Sequence, residues 1–325
     1  MELKIKEIPV SEVGYAEKMK DQIEPFLEKI RKEDFFRGHD GKDIHFEKYL
    51  ISDALASVTM VHGFTESAEK FREMVFNFTV MGFNVFIYDQ RGHGKSFRYA
   101  PDPQTVSVVR FDEYVEDLDI FVHSVVKPDS AGLPLYLYSH SMGGAVSIQY
   151  LQTHPGVFDK AVLSAPMVLC KTAGLPQGLA LAIARVFCAI GKGHDTVMGF
   201  HGFDPNKTYV DSNMTSEARF NYYHDKKKAH KEYQTANASY RWLKEAVTVA
   251  KKNLDPARCA NIKIPVLLCQ PEEDGSVVSE KEDEFIALIS DGKLVRFPAS
   301  RHEIYGSGDA TVLEYLKTIE SFFKA

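Results

Sequence analysis

LYLYSHSMGGAVSIQYL, residues 135–151, joins an apolar strand to a helical pattern across one abrupt turn. The turn is Ser139-His140-Ser141-Met142-Gly143. A serine flanked two positions away by small residues at a strand-to-helix junction is the pattern of a nucleophile elbow. Such a turn brings the neighbouring backbones close together, so it demands small side chains there. Gly143 and Gly144 meet that demand on one side. On the other, Ser139 stands where glycine is usual and adds one hydroxymethyl group. The turn would project Ser141 outward and aim the start of the following helix at any anion formed beside it.

Working outward, short apolar runs alternate with amphipathic stretches. The runs are SVTMVHGF (57–64), FNVFIYDQ (83–90), LPLYLYSH (133–140), KAVLSAP (160–166), IPVLLCQ (264–270) and KLVRFPA (293–299). Between them lie helical patterns at 111–126, 142–152 and 280–289, and another at 311–323 follows the last run. Nearly continuous apolar strands are buried on both faces, which predicts an α/β fold with a mostly parallel central sheet flanked by helices. Upstream, DFFRGHDGKDIHFEKYLI (34–51) predicts a hairpin turning at Asp40-Gly41. Before it, Val13, Met19, Ile23, Phe26 and Ile30 recur at helical spacing, predicting a helical extension over 1–34. Between Pro166 and Asp255 no strand pattern is visible. Residues 166–255 are therefore expected to be a helical cap inserted between two core segments, 35–165 and 256–325. Open α/β sheets bind ligands at their strand C-terminal ends, where such a cap would lie.

Composition narrows the function. The chain has 325 residues, 44% hydrophobic and 26% charged, with a formal charge of −6. That is ordinary globular usage with no basic field to attract nucleic acid. No apolar run approaches the ~20 residues that span a bilayer. The first residues show no apolar signal segment, and Cys170, Cys188, Cys259 and Cys269 lack CxxC spacing. A cytoplasmic protein with reduced thiols is the expectation.

A serine hydroxyl needs a base, and the base needs an acid to orient it. For elbow serines the chain order is serine, acid, histidine. The acid should follow a late strand, where PEEDGSVV (271–278) offers Glu272, Glu273 and Asp274. Asp274 is preferred because Gly275 and Ser276 can turn it back, with Glu273 as the alternative. The histidine should follow the last strand, and His302 is the only histidine beyond position 230. The oxyanion of acyl transfer would be met by the backbone N–H groups of Met142, just after the serine, and Phe64, just after His62-Gly63. His62 is expected to hydrogen-bond within its own turn, and His140 to pack facing away from the reacting groups. No metal-ligand spacing is present, and no cofactor is expected.

HGFTES (62–67), GFNVFIYDQRGHGKS (82–96), SHSMGG (139–144), PEEDGSVV and SRHE (300–303) occur in the order of the α/β-hydrolase superfamily. The chain most resembles its monoacylglycerol lipase and lysophospholipase branch, from about residue 35 onward. MTSEARFNYYHDKKKAHKEY (214–233) and YRWLKEA (240–246) resemble the cap of bacterial lysophospholipases. The resemblance implies a serine hydrolase acting on carboxylic esters of single-acyl-chain lipids, either lysophospholipid or monoacylglycerol. A general carboxylesterase, an aminopeptidase of the same fold, and a non-catalytic binding protein on a hydrolase scaffold are the other readings.

The cap carries its own charge pattern. Residues 166–255 hold 13 Lys and Arg against 8 Asp and Glu, with Lys226, Lys227, Lys228 and Lys231 clustered. Such a run is either a solvated helix face or a surface drawn to an anionic membrane or micelle. The apolar segment 179–190, interrupted by Arg185, is expected to pack over the core, or else to line an acyl-chain pocket or touch micelles.

Overall fold

A computed structural model describes residues 8–325; the first seven residues of the expected N-terminal extension lie outside it. Eight strands form one sheet: β1 (Arg31–Arg37), β2 (Asp43–Tyr49), β3 (Ala56–Val61), β4 (Phe83–Tyr88), β5 (Leu135–His140), β6 (Lys160–Ser164), β7 (Val266–Pro271) and β8 (Gly292–Phe297). Their spatial order is β1-β2-β4-β3-β5-β6-β7-β8. β1 and β2 pair antiparallel with each other, as β2 does with β4, and every other pairing is parallel.

The apolar strands alternate between two cores, one on each face of the sheet. On β4, Phe83, Val85 and Ile87 enter one core while Phe86 and Tyr88 enter the other. β3 and β4 lie side by side, and the chain then crosses back over β3 to form β5. That reversal is a topological switch point, and the C-terminal ends of β3 and β5 flank a natural crevice there.

The hairpin turns where Asp40-Gly41 predicted. Gly38 N–H donates to the Lys42 carbonyl at 2.8 Å, and Gly41 takes φ 73°. β1 begins earlier than expected, at Arg31, because Arg31 through Arg37 pair in unbroken register with Tyr49 through Asp43. Residues 31–34 are therefore strand, and the helical stretch occupies 15–30. Its buried stripe is Tyr15, Met19, Ile23 and Leu27, while Val13 is 80% exposed. A strict four-residue spacing exceeds the 3.6 of an α-helix, and a wider i→i+5 turn over Met19–Ile23 accommodates it.

The segment DQRGHGKS folds as a buried polar corner. Asp89 accepts from the amides of Ala68 and Lys95 at 2.7 and 3.0 Å and pairs with His45 at 3.0 Å. A Cβ on Gly94 would fall 2.1 Å from Asp89 Oδ2, so the corner closes only with glycine there. Fully buried Arg91 donates to both carboxylate oxygens of Asp117.

Residues 166–255 carry helices at Gln177–Ala189, Glu217–Ala229 and Tyr240–Thr248. They also contain a strand that hydropathy did not reveal: Asn237–Ala238 pairs parallel with Thr105–Val106. Two residues are too few to display a period of two, so only backbone pairing discloses it. A second tie is ionic. Arg219, buried on the helix Glu217–Ala229, donates to Glu73 at 2.9 and 3.0 Å and to the carbonyls of Val10 and Ser307 at 2.7 and 3.0 Å. Glu73 also accepts from Tyr15 Oη at 2.8 Å and from the Val10 amide at 3.2 Å.

One guanidinium thus holds the helix Glu217–Ala229, the N-terminal segment and the C-terminal segment together. Arg219→Met should cost about 3–5 kcal/mol in urea unfolding, because Glu73 is left buried without its cation. Adding Glu73→Gln should recover much of that loss. Equal stability of wild type and Arg219→Met would show that the cluster does not hold the cap.

Candidate active site

β5 ends at His140, and the chain turns at Ser141 with φ 52° and ψ −118° before the helix Met142–Thr153 begins. A non-glycine residue at positive φ is strained, and its surroundings must enforce it. Here they do. A Cβ on Gly143 would come 2.2 Å from the Val61 carbonyl oxygen, and one on Gly144 would come 2.5 Å from Pro166 Cβ. The Ser141 amide donates to the Ser164 carbonyl at 3.1 Å, and its own carbonyl accepts from the Gly144 and Met167 amides at 2.8 Å each. At the other flank, Ser139 is fully buried, and its hydroxyl has no hydrogen-bond partner among the described residues.

Three side chains from separate loops meet at this turn. His302 Nε2 lies 2.8 Å from Ser141 Oγ, and His302 Nδ1 lies 2.7 Å from Asp274 Oδ2. The other carboxylate oxygen of Asp274 accepts from the amides of Ser276 and Val277 at 2.7 and 2.8 Å. Burial works to raise the Asp274 pKa, but the His302 contact and these two amides outweigh it and hold the carboxyl below its usual range. An ionised Asp274 places the proton on His302 Nδ1, leaving Nε2 to accept from the serine. Glu273 is exposed, and Glu272 accepts from the Ala299 amide at 2.7 Å.

The two amides expected to meet an oxyanion carry no acceptor among the described residues. Met142 N–H is the first of its helix and has no intrahelical acceptor. The Phe64 amide has no acceptor among the described residues. Gly63, beside it, leaves room for Ser141: a Cβ there would lie 3.0 Å from Ser141 Cβ. His62 donates to the Gly63 carbonyl at 2.8 Å through Nδ1, within its turn as expected, but through Nε2 it also accepts from the Gln90 amide at 2.9 Å, just past the end of β4.

Sequence reading missed the support beneath these loops. Glu66 accepts from the Gly63 amide at 2.6 Å and from Tyr305 Oη at 2.5 Å, and pairs with Lys70 at 2.8 Å. Lys70 also pairs with Glu303 at 2.7 Å. The loop carrying Phe64 and the loop carrying His302 are therefore tied through one buried carboxylate–ammonium pair. His140 also departs from expectation. It turns toward the reacting groups, its ring 4.8 Å from that of His302 and 3.8 Å from Glu66. Tyr305 packs edge-on against it at 5.2 Å.

Above Ser141 lies a cavity of about 670 Å³ with a mainly apolar lining that includes Met167, Leu175, Val197, Met198 and Leu243. Trp242 forms part of the same wall, stacks on Phe64 at 4.0 Å and donates its indole N–H to Met142 Sδ at 3.4 Å. The helix Gln177–Ala189 buries Ala180 and Ala184, whereas Leu179, Val186 and Ile190 remain exposed.

The lysine cluster is not one patch. Lys226 is held by Glu24 and Glu69, Lys228 pairs with Asp225 at 3.1 Å, and Lys227 points inward to the Thr235 carbonyl at 3.1 Å. The helix separates them because consecutive residues face directions 100° apart. Among the described residues one trio, Glu33, His45 and Glu47, gathers ligand-type atoms within 4.8 Å. Each member is already engaged, by Lys95, Asp89 and Arg72 respectively.

The family model described as Hydrolase_4, serine aminopeptidase, S33, matches residues 52–309. Lysophospholipase L2 of Escherichia coli is 29% identical over 311 residues, which cover 90% of this chain and 87% of that one. A monoacylglycerol lipase of Mycolicibacterium smegmatis is 29% identical over 164 residues, covering 50% of this chain and 56% of that one. Among solved structures, a soluble variant of monoglyceride lipase from Saccharomyces cerevisiae superimposes with a TM-score of 0.73 at 18% identity, covering 91% of this chain and 94% of that one. The likeness identifies the fold as that of the α/β-hydrolases.

His140 has a measurable signature. Burial, opposed in part by Glu66 and reinforced by His302, pushes its pKa down to about 4 from an ordinary 6.5. The unfolded chain therefore binds a proton at this residue between about pH 6.5 and pH 4 that the folded chain does not. Its contribution to stability is present above that window and falls by up to about 1.4 kcal/mol per pH unit as pH drops through it. Urea unfolding of His140→Gln between pH 6.5 and 4.5 should show a decline shallower by about that slope. Parallel declines would place the His140 pKa near its ordinary value.

Proposed function

The chain belongs to the α/β-hydrolase family described as serine aminopeptidase, S33, and from that premise we propose that it hydrolyses carboxylic esters of single-acyl-chain lipids. The observation that carries this reading is the hydrogen-bonded Ser141, His302 and Asp274 beneath a mainly apolar 670 Å³ cavity. The relatives named lysophospholipase and monoacylglycerol lipase support the same substrate class.

In this mechanism Ser141 Oγ attacks the ester carbonyl while His302 Nε2 takes its proton. Asp274 keeps the imidazole oriented and stabilises the imidazolium. The carbonyl oxygen becomes an oxyanion against the Phe64 and Met142 amides. His302 then protonates the leaving glycerol oxygen, and the acyl group remains on Ser141. Water, deprotonated by His302, attacks the acyl-enzyme and releases the fatty acid.

An aminopeptidase needs a carboxylate for the substrate ammonium. The carboxylates lining this cavity, Glu66 and Glu303, are both paired with Lys70. That pairing favours an ester of a neutral or anionic lipid over a peptide N-terminus. The exposed Leu175, Met198 and Phe200 at the cavity wall and Leu179, Val186 and Ile190 on the neighbouring helix suit contact with a lipid aggregate during substrate loading. Among the described residues no helix is long and apolar enough to cross a membrane.

Ser141→Ala should remove fluorophosphonate labelling and lower kcat on p-nitrophenyl butyrate by about 10⁴-fold or more, with the urea midpoint unmoved. His302→Ala should match it, since the residues act as a unit. Asp274→Asn should cost nearly as much, and Glu273→Gln little. A Ser141→Ala protein that stays folded and keeps several per cent of its activity would refute the assignment. Faster turnover of aminoacyl p-nitroanilides than of lysolipids or monoacylglycerols by wild type would refute the substrate class.

A further inference from the structure

Beside the apolar cavity lies a second, of about 400 Å³ and less apolar than the first, and the two share Thr65, Gly199, Phe200, Asn213 and Glu303 as a common wall. We propose that this second cavity is the head-group subsite for a glycerophosphoryl ester, with Lys227 as the residue that recognises its phosphate. The inference rests on the ester-hydrolase reading and specifies which lipid the site prefers.

The charges of the cavity support it. Lys70 and Glu303 both line it, and Lys70 is paired with Glu303 and with Glu66, so its single charge is more than offset. Asp204 and Lys207 both stand on its exposed rim, one of each sign. Lys227 is the remaining lysine of the lining. Its ammonium has no carboxylate within 4 Å among the described residues, donates to the Thr235 carbonyl at 3.1 Å and lies 5.3 Å from the centre of the Phe203 ring. Its neighbours on the same helix are both paired, Lys226 with Glu24 and Glu69, and Lys228 with Asp225. A cation sunk into a cavity without a counter-ion is costly unless an anion arrives. Burial, with Lys70 nearby, pushes the Lys227 pKa down to about 7, so at neutral pH the group is poised to take up a proton as an anion enters.

The geometry of the substrate agrees. In a lysophospholipid the scissile ester and the phosphate sit on one glycerol unit, with the acyl chain leaving in the opposite direction. An ester carbonyl at Ser141 with its chain in the apolar cavity leaves the glycerol at the shared wall and the phosphate in the second cavity. A monoacylglycerol would fill the first cavity and bring only hydroxyls to the second.

The test compares kcat/KM for lysophosphatidylglycerol and monoacylglycerol of the same short acyl chain, both below their critical micelle concentrations. Lys227→Met should lower the charged-to-neutral ratio about tenfold or more, chiefly through KM on the lysolipid, and Lys227→Arg should restore most of it. Lys228→Met should leave the ratio at its wild-type value. On wild type, sn-glycerol 3-phosphate should compete with p-nitrophenyl butyrate at least ten times better than glycerol or inorganic phosphate. A ratio unmoved by Lys227→Met overturns the proposal, as does equal inhibition by the three small molecules. If Lys227→Met fails to fold, the inhibition series on wild type decides alone. Hydrolysis of neither lipid by a wild type that still turns over p-nitrophenyl butyrate would instead remove the lipid reading itself.

Discussion

The distance between the backbone of Gly143 and the Val61 carbonyl oxygen, too short to admit a methyl group, is the constraint on which the rest is built. It lets the helix Met142–Thr153 start hard against the end of β3. Only with that helix so close does the turn at Ser141 carry its side chain out of the sheet. The same contact sets the Met142 amide near the loop that bears Phe64, because both flank the end of Val61. Ser141 and the Met142 and Phe64 amides are thus placed by one packing requirement, made of backbone and not of adjustable side chains. The strain of the left-handed serine is held in place by three backbone hydrogen bonds of about 3 Å.

Around that rigid centre the loops are held by buried charges. Glu66 binds the Gly63 amide directly and reaches Glu303 through Lys70. Glu73 and Arg219 do the same at longer range, joining elements more than a hundred positions apart. Removing one member of such a pair leaves the other desolvated, so the pairs enforce geometry more strictly than an apolar contact of equal area. Several carboxylates are consumed internally, each by a specific Lys, Arg or backbone amide.

Much of this was legible in the sequence, and the limits are physical. The six apolar runs announced the parallel strands because strands buried on both faces leave no polar register to obscure them. Ser141, Asp274 and His302 could be chosen because each follows a strand in a fixed chain order. Gly275-Ser276 further marked a turn whose amides bond Asp274. The ladder Asn237–Ala238 was invisible because it is too short to show a period. Val13 looked like part of a stripe, yet the stripe runs through Tyr15 with a spacing of four. Lys226, Lys227 and Lys228 looked equivalent because adjacency in sequence hides the rotation between successive helical residues. Glu66 and Glu303 escaped notice because their shared partner becomes apparent only when loops 237 positions apart meet.

Trp242 has a consequence of a different kind. It is the single tryptophan of the chain, stacked on Phe64 and bonded to the sulfur of Met142 at the cavity wall. Indole emission from this protein therefore originates at one known place. The chain carries a native optical probe at the junction of cap and catalytic floor. Changes in wavelength or quenching can be read as events at that junction without a label or an added chromophore, and without averaging over distant tryptophans.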